Sequence, residues 1–139
     1  RHWLPETLGP VILAATAASI ALAGGWSLVP ALALSGIMVS RAVPTVFYVR
    51  ARLRLEKGQP VSSALSTLLH VLAVFAVLGL MLAQLAPALS VLAALILLAR
   101  AVYGLSSFRR PAQPKHIGIQ EIVFGLVTVT MAVIGFRLS

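Results

Sequence analysis

The chain has 139 residues; 60% are hydrophobic, only 10% are charged, and the net charge is +8. Soluble domains usually carry about 25% charged residues, so a water-exposed fold of this size is excluded and the excess apolar surface must face lipid. The basic residues lie in gaps between apolar runs and are not interleaved with stacking aromatics, which argues against nucleic acid as a partner and for a positive-inside membrane topology.

Five apolar runs follow one another, each separated from the next by Pro, Gly or charge. The first spans 8–23 and closes at Gly24-Gly25-Trp26. The second spans 29–49, with Pro30 in its first turn. The third spans 61–82 after Gly58-Gln59-Pro60, and the fourth spans 88–105 after Pro87. The fifth spans 119–136. Proline suits a helix start because the N–H it lacks has no partner there. The runs have roughly the 17–25 residues that a bilayer core requires, are too long for single strands, and show no sustained period of two. Five short-linked runs do not close a barrel, and lipid forbids open sheet edges. The expected fold is an all-α, polytopic bundle of about five transmembrane helices.

Charge alternates from link to link. Between runs two and three stand Arg50, Arg52, Arg54 and Lys57 against Glu56; between runs four and five stand Arg109, Arg110 and Lys115. The links at Gly24-Gly25 and Gln84-Leu85 are uncharged. The positive-inside rule then puts the basic links and the N-terminus in the cytoplasm and the C-terminus outside. Run one also carries Ala14, Ala17, Ala18 and Ala21 at helical spacing, a face that allows close approach of another helix.

Charged and polar side chains inside the runs are costly in lipid and are therefore candidate functional groups. Arg41, Thr45, Tyr48 and Arg52 fall on one helical face, and Pro44 beside them is expected to kink the helix and free a carbonyl. Arg41 either snorkels and pairs with carbonyls or meets a ligand. His70 shares a face with Ser63, Ser66 and Thr67, and either bonds a neighbouring helix or serves a proton or ligand. At 1.5 Å per residue, Arg41 and His70 lie roughly 12 and 13 Å from the inner ends of their helices, and Arg100 roughly 9 Å. Glu121, at the inner start of the fifth run, is expected to offset one of Arg50, Arg54 or Arg100. Arg50 and Arg54 share a face at the inner end of run two, which continues beyond the membrane as an amphipathic turn. They either anchor the chain to anionic headgroups or hold a phosphate, for which guanidinium forks are suited. The chain has no cysteine and no aspartate, and its three carboxylates, Glu6, Glu56 and Glu121, are far apart in sequence. No metal site and no paired-carboxylate catalysis is expected from that set, and no cofactor is identified.

Three stretches, Arg1–Pro10, Val49–Gly58 and Pro114–Gly125, give the chain a resemblance to the YwiC-like family of bacterial multi-pass membrane proteins. The resemblance implies a bacterial inner-membrane location. Members of that family are longer at the N-terminus and the chain starts at Arg1, so residues 1–139 are expected to form one transmembrane helical domain, the C-terminal part of a longer protein. The layout from Pro44 to Gly58 is also similar, more weakly, to the UbiA prenyltransferase superfamily, whose Asp-rich motifs hold magnesium and a prenyl diphosphate. Thr45 and Val49 stand where such an acidic pair is expected.

Three functions follow as expectations. The first is binding or moving an amphipathic anion, for which anionic membrane lipids are the available partners, in a cytoplasmic-side basic cavity. Arg41, Tyr48 and His70 would line that cavity, with Arg50, Arg52 or Arg54 at its mouth. The second is a divergent prenyltransferase, and the third an accessory subunit of a membrane complex.

Overall fold

The computed structural model describes residues 3–139. Arg1 and His2, which open the first stretch of family resemblance, lie outside the described residues. Five helices follow in chain order: α1 (Trp3–Ala23), α2 (Leu28–Glu56), α3 (Ala64–Leu82), α4 (Ala88–Gly104) and α5 (Pro114–Leu138). Among the described residues there is no strand. Four of the helices, α1, α2, α3 and α5, are long and apolar enough to cross a membrane; α4 is apolar but has 17 residues. At 1.5 Å per residue α4 still reaches about 26 Å, close to the bilayer core of about 30 Å. The protein is an all-α, multi-pass membrane bundle.

The helices differ from the apolar runs mainly at their polar ends. α1 starts five residues before the first run and passes through Pro10. α5 starts at Pro114 and not at Ile119, with Gln113 as its N-cap and proline in the first helical position. α2 continues seven residues past Val49, as the amphipathic extension requires, and is unbroken through Pro44. α3 starts three residues late, at Ala64, after Ser62 Oγ accepts a bond from the Ala64 N–H at 3.3 Å. Apolarity marks what must lie in lipid, whereas the backbone continues its hydrogen-bonding pattern into water wherever no competing bond stops it.

Three helix ends are closed by the same device, a bond from an N–H back to a carbonyl five residues earlier. The pairs are Trp26 to Ala21 at 3.0 Å, Gln59 to Arg54 at 3.0 Å and Leu85 to Leu80 at 2.8 Å. Each requires a left-handed residue just before the donor. Gly25 and Gly58 fill that role with φ of 88° and 70°, and Gln84 fills it with φ of 60°.

Packing is serial: α1 on α2, α2 on α3, α3 on α4 and α4 on α5, with α2 also meeting α4. The core is α2, α3 and α4, flanked by α1 and α5. The small residues face inward: Ala31, Ala93, Ala101 and Ala132 are all buried, while Leu13, Ile20, Phe75 and Ile122 are exposed. This inversion of the soluble pattern is what a lipid environment selects, since close backbone approach and not burial of bulk holds such helices together. The small face of α1 meets α2 through Ala14, Ala18 and Ala21, and Ser35 of α2 donates to the Ala14 carbonyl at 3.0 Å.

The two uncharged links lie at one end of the bundle. There Trp26 meets Phe136 edge to face at 5.2 Å, and Pro87 fills the notch left by Gly135. The two basic links meet at the other end. A β-carbon at Gly135 stands 2.6 Å from Cβ and Cγ of Pro87, whereas one at Gly79 meets nothing within 4 Å. Gly135→Ala should therefore destabilise the protein by about 1–3 kcal/mol through overpacking. Gly79→Ala should be neutral or stabilising by up to about 1 kcal/mol, because it only removes backbone entropy. Unfolding midpoints in detergent check the pair.

Candidate functional site

Helix α2 sends three polar side chains toward α4 and α5. Arg41, Tyr48 and Arg52 are seven and four residues apart, so they recur every one or two turns on one face. Arg52 is buried. It donates from Nη1 to the Gly104 carbonyl at 2.7 Å and from Nη2 to the Arg110 carbonyl at 2.6 Å, and it pairs with Glu56 one turn on at 3.0 Å. Gly104 ends α4, where carbonyls lack helical partners and the helix dipole is negative, so Arg52 caps α4 from a neighbouring helix. Glu56 in turn holds the link between α4 and α5: Arg109 approaches it at 3.6 Å and the Ala112 N–H donates to it at 3.2 Å.

Glu121 of α5 serves two arginines with different atoms. Its carboxylate pairs with Arg100 of α4 at 2.5 Å, and its backbone carbonyl accepts from Arg41 of α2 at 3.3 Å. Arg41 reaches that carbonyl because residue 125 is glycine; a β-carbon there would stand 2.5 Å from Nη2. Of the three partners expected for Glu121, Arg100 is the one it takes. Arg50 pairs with Glu6 at 3.6 Å, and Arg54 bonds Gln59 at 3.2 Å.

Arg100 is also enclosed by rings. Its guanidinium carbon lies 4.2 Å from the centre of Tyr48 and 5.1 Å from that of Phe124, within reach of a cation–π interaction. Its side chain is 7% exposed, and its Nε and Nη2 have no hydrogen-bond partner among the described residues. Tyr48 rests in a second glycine notch, at Gly104, where a β-carbon would meet its ring at 3.0 Å. Its other side approaches His70 edge to face at 6.3 Å. His70 in turn donates from Nδ1 to the Ser66 carbonyl at 2.8 Å.

The single cavity expected from the sequence is divided into three spaces. Tyr48, Arg52 and Arg100 line a groove of about 640 Å³ between α4 and α5, completed by Tyr103, Arg110, His116, Gln120 and Phe124. No carboxylate lines it, because Glu56 and Glu121 lie behind the arginines they hold. Arg41 and His70 line a separate cavity of about 10 Å³ with Ser40, Ser90 and Thr128. Thr45, Arg50 and Arg54 line a third space, about 530 Å³ on the outer side of α2 beside Glu6 and Lys57. Thr45 thus leaves the company of Arg41 and Tyr48, since it falls at the edge of their arc.

Arg110, His116 and Phe124 were not among the residues singled out, although Arg110 and His116 stand in or beside the second basic link. Phe124 carried no signal in an apolar run, whereas Ser90 and Thr128, polar residues inside runs four and five, carried the same signal as His70. The chain was compared with protein-family models, with curated proteins and with solved structures, and none of the three comparisons finds a match.

The buried pair gives a direct expectation. Glu121→Gln keeps the carbonyl that Arg41 uses but leaves Arg100 buried without its counter-charge, at a cost of about 3–5 kcal/mol. Joint replacement of Arg100 by Met and Glu121 by Leu should recover most of that loss, because it removes both charges together. Thermal unfolding of the single and double variants measures the difference.

Proposed function

We propose that the protein binds, or carries across the membrane, an amphipathic anion whose headgroup enters the groove between α4 and α5 from the cytoplasmic side. The observation that carries the reading is Arg100: a buried guanidinium with two nitrogens lacking partners, on a groove wall with three arginines and no carboxylate. Arg52 is held by two carbonyls and Glu56, so it stiffens the wall and adds field without being available itself. Arg110 is exposed at the mouth and makes no ion pair among the described residues. A phosphate or carboxylate headgroup would accept bonds from Arg100 and Arg110 in a geometry that suits planar guanidinium. Its chains would lie against the apolar flank that includes Ile96 and Phe124.

The same proposal assigns the chain to the YwiC-like proteins and hence to the bacterial inner membrane. In support, two of the three stretches of resemblance supply Arg52, Glu56, His116, Gln120, Glu121 and Phe124, which build the groove and its backing. Among the described residues each glutamate is engaged by arginine, Glu6 by Arg50, Glu56 by Arg52 and Arg109, Glu121 by Arg100, so these residues by themselves support binding of an anion and not a magnesium–diphosphate site.

Native mass spectrometry of the protein with its copurified lipids tests the reading. Arg110→Gln, and Arg100→Lys, which keeps the charge opposite Glu121 but loses the fork, should each reduce bound anionic lipid several-fold. Arg54→Gln, on the other side of α2, should leave it unchanged. Equal retention in all three variants would sink the groove as the site.

Orientation is checked separately. The chain has no cysteine, so single cysteines at Gln59 and Gln84 are unambiguous probes. Gln84 should label from the periplasmic side and Gln59 only after the membrane is opened; equal labelling of both from outside overturns the topology.

A further inference from the structure

The order of side chains along the groove between α4 and α5 bears on what the guest carries beyond its charge. On α4 the groove is lined by Ile96, Arg100 and Tyr103, and on α5 by Phe124, Gln120 and His116. Each set recurs every three or four residues and so forms a row down one helix face. The two helices run in opposite directions, and the Arg100–Glu121 pair fixes their register. Ile96 then stands near the level of Phe124, Arg100 near Gln120, and Tyr103 near His116, with about one turn between successive layers.

The layers differ in chemistry. The deepest is apolar. The middle one holds a charge and an amide. The third, nearest the basic end of the bundle, holds a phenol and an imidazole. Arg110 follows at the mouth, where its carbonyl and that of Gly104 accept from the same Arg52 guanidinium. Gln120 and Tyr103 are both exposed, although Gln120 lies inside the membrane-length helix Pro114–Leu138. An open amide is costly where lipid supplies no hydrogen-bond partner. Amide, phenol and neutral imidazole each donate and accept. Uncharged groups that do both match hydroxyls, which do the same. They do not match an ammonium, for which no carboxylate lines the groove. A fully ionised phosphate monoester only accepts, and so leaves the acceptors of these layers unused.

Building on the anion-binding reading of this groove, we propose that its guest is a phosphodiester lipid with a polyol headgroup, glycerol or a sugar-like alcohol. Its chains lie against Ile96 and Phe124, its phosphate by Arg100, and its hydroxyls bond to Gln120 and Tyr103. Apolar, charged and then neutral polar is also the order of such a lipid along the bilayer normal. Gln120 is then a specificity-determining residue, because it reads the alcohol and not the charge.

Native mass spectrometry of the delipidated protein, titrated with phosphatidylglycerol, phosphatidic acid and phosphatidylethanolamine of identical acyl chains, tests this. Charge alone favours phosphatidic acid, because a phosphate monoester carries about −1.5 to −2 charges near pH 7, more than a diester does. The expected result is the reverse, with phosphatidylglycerol bound several-fold more tightly than either other lipid. Gln120→Leu should bring phosphatidylglycerol down to the level of phosphatidic acid and leave phosphatidic acid unchanged; Tyr103→Phe should act in the same direction. Phosphatidic acid bound as tightly as phosphatidylglycerol, with phosphatidylethanolamine weaker, overturns the headgroup assignment and leaves the anion reading intact. A Gln120→Leu loss shared equally by both anionic lipids overturns the headgroup assignment as well. Equal binding of all three lipids overturns the assignment and the anion reading together. The wild-type ranking alone decides should Gln120→Leu fail to fold.

Discussion

The bundle depends on how few negative charges it has to balance its buried positive ones. Eleven lysines and arginines stand against three glutamates, and Arg41, Arg52 and Arg100 all turn inward. A guanidinium left alone in a low-dielectric interior is strongly destabilising. Glu121 resolves two of the three, one through its carboxylate and one through its backbone carbonyl. Glu56, with the carbonyls of Gly104 and Arg110, resolves the third. The consequence is architectural. Arg41 and Arg100 bring α2 and α4 to the same turn of α5, and Arg52 ties α2 to the end of α4. Helices that present mostly alanine to one another are held in register by these ties, since apolar packing against lipid-like neighbours has little directional preference.

Glycine makes the ties geometrically feasible. At Gly125 the missing side chain lets a guanidinium reach main-chain oxygen, and at Gly104 it lets the Tyr48 ring approach α4. Tyr48 then forms one wall for Arg100 and one neighbour for His70. The polar interior is therefore a continuous set of contacts across four helices, although the space around it is divided. Charge pairing and small residues act on the same link of the argument: each pairing needs a backbone close enough to be reached, and each close approach is fixed by what reaches across it.

Much of this was legible in the residues. Run length and link charge are one-dimensional properties, so the helix count and the alternation of basic and uncharged links could be read from them, and the partner of Glu121 could be narrowed to Arg50, Arg54 or Arg100, of which the structure selects Arg100. Depth was legible for the same reason: Arg41 and His70 do border one space. Rotation of each helix about its own axis was not. Arg50 and Arg52 are adjacent in sequence, yet one faces the α1 side and the other the interior, and Thr45 crosses from one group to the other by a fraction of a turn. Those choices are set by where α1 and α4 dock on α2, which a single helix does not encode. The starts of α1 and α5 were missed because hydropathy reports the lipid boundary, whereas helices end where capping and competing bonds end them.

The division of the interior also bears on which space suits a charged guest. On the outer side of α2, Arg50 is partly neutralised by Glu6, and Arg54 is exposed and donates to the Gln59 side chain, so a headgroup there gains little over its contacts with bulk lipid. Between α4 and α5 the desolvation cost of Arg100 is already met by Glu121 and by the Tyr48 and Phe124 faces before any guest arrives. Its two remaining donors are fixed in direction by that enclosure. A guest that accepts from them then gains bonds in a low-dielectric wall without having to order a mobile side chain, which is where preorganisation contributes most to affinity. The pairing that keeps the bundle together thus also leaves Arg100 with donors in reserve, because the carboxylate engages Nη1 and leaves Nε and Nη2 without partners in the wall of the groove.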